Sequence, residues 1–178
     1  ILWTSQTGYQ CLIGRTSSEL DLRNQLAVRN FFIKEKPDVV GLSYYVWNKN
    51  LNRRVFEVVK SHVSNSLTIG GGPCFTNHNA NEKGARQFFS SQYNCDAYIV
   101  NQGEKGFLEL IKKFNEVNHD LNKFRSSATR GSLVNDLKKN DKVHIGDDIG
   151  TLDNLNNIPS PYLNGLMDPF FEGPYIPL

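Results

Sequence analysis

The chain has 178 residues, with twenty Lys and Arg against eighteen Asp and Glu and a net charge of +2. That length fits one domain, or one domain with an appendage, and suffices to bury a real core, while so small a charge advertises neither a nucleic-acid nor a membrane partner. No run approaches the ~18 apolar residues of a membrane span, and Ile1 to Ser5 carry no basic n-region or long apolar stretch of a signal peptide; since position 1 is not Met, the chain is expected to have been processed at its start.

Ile1 to Thr4 has strand character. Ser18-Glu19-Leu20 opens an amphipathic helix, with Leu22, Leu26, Phe31 and Ile33 at its apolar positions and Pro37 as its stop. After the turn Lys36-Pro37-Asp38, the run Val39-Val40-Gly41-Leu42-Ser43-Tyr44-Tyr45 is short, apolar and β-branched, as in a buried strand. A helix follows from Asn50 to Val63, where Leu51, Val55, Phe56, Val58, Val59 and Val63 recur at helical spacing against Arg53, Arg54, Glu57 and Lys60. Leu67-Thr68-Ile69 is the next strand and ends in Gly70-Gly71-Gly72-Pro73. A weaker helix covers 82–90, a strand 96–100, and a last helix 105–117 with Phe107, Leu108, Leu110, Ile111 and Phe114 on one side. The alternation predicts an α/β fold, a Rossmann-like (flavodoxin-like) parallel sheet with helices on both faces.

From about residue 120 the alternation fails. Residues 118–148 are rich in Asn, Lys, Asp and Ser, and residues 151–178 hold five of the chain's seven prolines. A domain of residues 1–120 is therefore expected to be followed by an irregular connector, 121–178, that leads to a module outside this chain. The cysteines, Cys11, Cys74 and Cys95, form no C-x-x-C pair, which excludes a zinc ribbon or thioredoxin-like motif within the chain. Without a disulfide framework a reducing cytoplasm is favoured, and three ordinary thiols are expected.

An open parallel sheet takes ligands beyond the carboxyl ends of its strands. Three such ends are chemically distinctive: Ser43-Tyr44-Tyr45-Val46-Trp47-Asn48, Gly70-Gly71-Gly72-Pro73 and Asn101-Gln102-Gly103-Glu104. Glycines there permit close approach of backbone to a ligand, although a plain tight turn explains them equally well. The run is neither Gly-x-Gly-x-x-Gly nor a Walker loop, so a phosphate site is disfavoured. Ser43 can donate a hydroxyl hydrogen bond, and Tyr44, Tyr45 and Trp47 offer amphipathic contact area; at least one of the three is expected to be core. Glu104 either meets a ligand or complements a helix N-terminus. Among His62, His78, His119 and His144, only His78 lies near the glycine-rich loop, and the others read as surface residues. Nothing resembles a hydrolytic triad.

These residues resemble a known family. The segment from Lys36 to Asn48, the Gly70-to-Pro73 loop, the Asn101-to-Glu104 turn with Phe107 to Leu110 after it, and the pieces Leu152-Asp153 and Ile158 to Leu163 are similar to the N-terminal cobalamin (B12)-binding domain of B12-dependent radical S-adenosylmethionine (SAM) enzymes and its connector. The likeness covers about 36–117 and 149–170. It implies that cobalamin is gripped at the strand ends, its dimethylbenzimidazole tail threading into the protein past Ser43 and Gly71-Gly72. Tyr44, Tyr45, Val46, Trp47, Gly70, Pro73, Gly103 and Glu104 would complete the cofactor surface. It also implies a partner, a radical SAM barrel beyond Leu178 that holds a 4Fe-4S cluster and S-adenosylmethionine and in which methyl transfer is the usual chemistry.

The sequence departs from the wider B12 pattern in having no Asp-x-His-x-x-Gly motif. It also lacks the cluster's Cys-x-x-x-Cys-x-x-Cys, and only 36 residues precede Pro37, so the N-terminal edge is expected to be truncated. A scaffold or interaction domain that has lost the cofactor is the alternative; a nucleotide-binding domain is a weaker third.

Overall fold

The computed structural model describes residues 22–75, 80–101 and 103–150, together with 154, 159–160, 162–165 and 168. The expected strand at Ile1–Thr4, Cys11 and His78 lie outside the described residues. The elements are α1 (Gln25–Glu35), β1 (Val39–Ser43), α2 (Lys49–His62), β2 (Leu67–Gly71), α3 (Glu82–Ser91), β3 (Ala97–Ile99), α4 (Gly103–Glu116), α5 (Leu121–Arg125), β4 (Ser132–Asp136), α6 (Leu137–Asn140) and β5 (Lys142–Ile145). The five strands lie in the order β1-β2-β3-β4-β5. β1, β2 and β3 are parallel neighbours, whereas β4 runs against both β3 and β5. This is the expected Rossmann-like α/β architecture, with an antiparallel extension that the sequence reading lacks.

Residues 121–150 correct that reading, since chain expected as connector instead completes the sheet. All five residues of β4 are buried, with Leu133 and Val134 fully so. Its polar residues are satisfied where they stand. Ser132 Oγ donates to the Thr129 carbonyl at 2.8 Å, Asn135 Nδ2 donates to the Cys95 carbonyl at 2.9 Å, and Asp136 accepts from Asn140 at 2.7 Å. Burial of polar groups costs little once each has a partner, so a strand of polar composition can occupy the sheet interior.

Each face of the sheet carries its own core. On one, α1, α2 and α3 deliver Val28, Phe32, Val55, Phe56, Val59, Ala85 and Phe89 onto Val40, Tyr44, Tyr98 and Leu133. On the other, α4 and α5 bring Leu110, Ile111, Phe114 and Phe124 onto Leu67, Ile69, Ala97, Ile99 and Val134. Each fully buried Leu, Val or Phe contributes about 1.5–3 kcal/mol.

α1 begins at Gln25 because the Asn24 side chain caps it, accepting from the Leu26 and Ala27 amides. Its inward stripe is Val28 and Phe32, not the expected Leu26 and Ile33, which are 60% and 40% exposed. The i, i+4 pair that meets α2 decides the face. Among the described residues no helix is long and apolar enough to cross a membrane.

Candidate functional site

Because β1, β2 and β3 are parallel, their carboxyl ends gather at one edge of the sheet. Ser43 pairs with Gly71 in the β1–β2 register, so the first two distinctive segments start side by side. Beyond Ser43 the chain turns into α2, and two asparagines shape the turn. Asn48 Nδ2 and Asn52 Nδ2 both donate to the Ser43 carbonyl, at 2.9 and 2.8 Å, while Asn48 Oδ1 accepts from the Tyr45 amide at 2.8 Å. This pins the loop and turns Tyr45, Val46 and Trp47 outward. Val46 and Trp47 are about four-fifths exposed, at 82% and 80%. The Tyr45 and Trp47 rings stack at 4.7 Å with an interplanar angle of 11°, giving a flat apolar shelf beside the strand ends.

Tyr44 points the other way. It is fully buried, its hydroxyl donates to Gln92 Oε1 at 3.1 Å, and its ring packs edge-on against Phe88 and Tyr98. Alternation along β1 sends it to the face opposite Ser43. Its side chain is therefore one of the core aromatics that the sequence allowed for and cannot form part of a cofactor-facing surface; only its backbone borders the site. Burial raises the Tyr44 and Tyr98 phenols well above the usual tyrosine range, so both remain neutral donors.

The glycine run divides into distinct roles. Gly70 is buried under Tyr98 and Tyr44, where a Cβ would lie 2.9 and 3.1 Å from their rings; core packing, not a ligand, requires this glycine. Gly71 lies on the opposite face, where a Cβ would make only an ordinary contact, 3.8 Å from Ile99. Gly72 has φ +133, and a Cβ there would stand 2.5 Å from the Tyr44 carbonyl oxygen. Pro73 is exposed. The Gly71 carbonyl accepts from the Tyr44 amide at 2.6 Å and the Gly72 carbonyl from the Tyr98 hydroxyl at 2.9 Å.

At the third end, Asn101 adopts a left-handed φ of 60 and the chain enters α4 at Gly103. Nothing lies within 4 Å of a Cβ built on Gly103, and Glu104 is exposed in the first turn of α4. On the α4 side of the sheet, Gly41, Ser43 and Gly71 share one face by register and alternation. Gly41 and Gly71 are half-buried and Ser43 is exposed, while α4 packs over β3 and α5 over β4. On this face the side chains shrink toward the carboxyl ends, from Val39 and Leu67 through Gly41 beside Ile69 to the pair Ser43 and Gly71, with Ile99 next to Gly71.

The sheet's opposite end holds a different assembly. Asp96 accepts from Lys60 Nζ, the Thr68 amide and hydroxyl, and Arg125 Nε and Nη2, at 2.5 to 2.9 Å. It ties α2, β2, β3 and α5 together and is remote from the strand-end loops. His144, read as a surface residue, is largely buried, with Nε2 3.3 Å from Asp136; His119 stacks on Phe114 at 4.5 Å. Cys95 is buried and Cys74 half-buried. Among the described residues no group of three or more His, Cys, Asp or Glu could hold a metal ion. Sequence reasoning missed Asn48, Asn52 and Tyr98 as shapers of the loops. Asn48, three residues after Tyr45 and just ahead of a helix, carried a turn signal; nothing in the sequence marked Tyr98.

Fold and site together define a Rossmann-like α/β unit whose three distinctive loops lie at the carboxyl ends of its parallel strands. No protein-family model matches the chain. Curated proteins do. The chain is 31% identical over 133 residues to the cobalamin-dependent radical SAM methyltransferase TokK of Streptomyces tokunonensis, covering 75% of this chain and 18% of that protein. It is 29% identical over 132 residues to the 2-(S-pantetheinyl)-carbapenam-3-carboxylate methyltransferase of Streptantibioticus cattleyicolor, covering 74% of this chain and 17% of that protein. The chain thus spans less than a fifth of the length of either relative.

Proposed function

We propose that this chain is the cobalamin-binding module of a B12-dependent radical SAM enzyme of the methyltransferase type, working in the cytoplasm. The similarity to the cobalamin-dependent methyltransferase over three-quarters of the chain carries this reading; it lends no support to a scaffold that has lost the cofactor. The site's chemistry fits the group. A flat macrocycle with a long tail needs a broad apolar surface beside a groove free of bulky side chains. The stacked Tyr45–Trp47 pair offers the first, and Ser43 and Gly71, side by side at the strand ends, keep bulky side chains out of the second. In this reading Tyr45, Val46, Trp47, Gly72 and Pro73 border the corrin. Ser43 and Gly71 line the path of the tail, with the Ser43 hydroxyl donating to it, and Gly103 and Glu104 face the corrin amides. Gly70 and the Tyr44 side chain act from beneath, as packing.

When bound, cobalamin supplies the methyl-transfer reactivity, while these residues bind it, orient it and exclude water. The 4Fe-4S cluster and S-adenosylmethionine belong to a barrel in the same parent chain, reached through the Pro-rich residues after Gly150, and this chain alone is not catalytic. Titration of the purified protein with hydroxocobalamin, followed by visible absorbance and calorimetry, tests the reading. Saturable binding with one cobalamin per chain is expected, and no binding at about 100 µM ligand overturns it.

A further inference from the structure

Tyr98 stands beneath the glycine loop without belonging to it. It is fully buried in the middle of β3, and its hydroxyl is the point where two parts of the loop converge. It donates to the Gly72 carbonyl at 2.9 Å and accepts from the Cys74 amide at 3.3 Å. Around it, Phe75, Phe88 and Tyr44 pack edge-on with ring centroids 5.0 to 5.9 Å away, so the phenol has one position. Gly72, between these bonds, is held at φ +133 against the Tyr44 backbone. Loop backbone is ordinarily satisfied by solvent or by its own turn. Here a side chain two strands from Ser43 does it from inside the core.

We propose that Tyr98 is a positioning residue for the ligand loop: through one hydroxyl it turns the Gly72 carbonyl and the Cys74 amide inward, fixing the backbone surface that Gly71–Pro73 presents at the strand ends. This rests on the cobalamin reading of that surface. Pro73, between the two bonded residues, has no amide proton to give, so the Tyr98 hydroxyl holds the loop on either side of it. A preformed surface also spares the ordering cost that a loose loop would pay on binding.

Tyr98→Phe keeps the ring and removes only the hydroxyl. Amide hydrogen exchange and hydroxocobalamin titration are compared for the unmodified chain, Tyr98→Phe and Phe124→Leu, a core truncation on the opposite face. Loss of one neutral hydrogen bond is expected to speed Cys74 amide exchange about fivefold and to weaken hydroxocobalamin binding about three- to tenfold; Phe124→Leu should do neither. Unchanged exchange at Cys74 overturns the proposal, as does an equal loss of affinity in Phe124→Leu, which would mark a general effect of stability. The unmodified chain offers a check without any substitution: Cys74 must be a slowly exchanging amide despite its half-exposed setting, and fast exchange there overturns the proposal. Failure of the unmodified chain to bind hydroxocobalamin removes the cobalamin reading, and with it the ligand role of Tyr98, while the exchange comparison still decides whether the phenol shapes the loop.

Discussion

Gly72 and Tyr44 occupy one narrow space: a Cβ on residue 72 would stand 2.5 Å from the Tyr44 carbonyl oxygen and 3.2 Å from its nitrogen. Backbone cannot yield as a flexible side chain can, and φ +133 is strained for any L side chain. Gly72→Ala should therefore cost about 2–4 kcal/mol in urea unfolding. Gly103→Ala, into open space at the first residue of α4, should change stability by less than about 0.5 kcal/mol. If corrin amides approach position 103, the same Ala substitution weakens hydroxocobalamin binding without moving the unfolding midpoint.

Trp47 separates binding from folding in a similar way. With four-fifths of its surface in solvent, and Tyr45 as its stacking partner, Trp47→Ala should cost at most about 1 kcal/mol of stability. It should weaken hydroxocobalamin binding by roughly tenfold, since a large aromatic at an interface centre typically carries 1–2 kcal/mol or more. Affinity equal to that of the unmodified chain would show that the shelf faces something else.

Asp96 makes the opposite case. Its side chain is 4% exposed and is shared by two cations, Lys60 and Arg125. Burial lowers the Lys60 ammonium from its ordinary value, and Asp96 works against that fall. Asp96→Asn leaves the Lys60 and Arg125 cations, 12% and 26% exposed, facing a neutral amide, at a cost of about 2–4 kcal/mol, somewhat below that of a fully buried pair. Chemical denaturation at neutral pH measures it. Because α5 is anchored here, limited proteolysis should cut first near residues 121–131 in this variant.

Alkaline pH tests the aromatic core. In the unfolded chain Tyr44 ionises around its ordinary value of 10.0, whereas burial raises it in the fold. The unfolded state thus releases its proton first. The stability that this group contributes is complete below pH 10 and is lost as pH rises toward the raised value. The difference in unfolding free energy between the unmodified chain and Tyr44→Phe should fall by up to about 1.4 kcal/mol per pH unit above pH 10. Urea melts at pH 9, 10 and 11 measure it, and a flat difference would mean that the phenol is hydrated in the fold.

The α/β alternation between residues 37 and 117 was legible because its strands are apolar and its helices amphipathic. Val39 to Ser43 and Leu67 to Gly71 reach the sheet within two residues of their expected limits. β4 was hidden because periodicity registers only apolar residues. Ser132, Asn135 and Asp136 reach the interior through specific partners at Thr129, Cys95 and Asn140 that lie far from any pattern. The strand-end loops were legible as chemistry but not as geometry. Composition shows three glycines and three aromatics, yet only the pleat carried on from β1 sends Tyr44 inward, and only the Asn48 and Asn52 bonds to the turn set Tyr45 and Trp47 outward. Only tertiary packing reveals that Gly70 serves Tyr98 and Gly72 serves Tyr44.

The two antiparallel pairings at the far edge have a directional consequence. Two reversals cancel, so β5 ends, at Ile145, on the same side of the sheet as Ser43 and Gly71. The next residues stay close to that side: Asp147 accepts from the Gly131 amide at 2.8 Å, and Ile149 packs over Gly131 beside Gly106 in α4. Had the sheet stopped at β4, the chain would leave from the Asp96 end. As built, the chain comes to Gly150 on the side of the sheet that carries the Tyr45–Trp47 loop and the glycine run, with the whole depth of the domain between it and the Asp96 cluster.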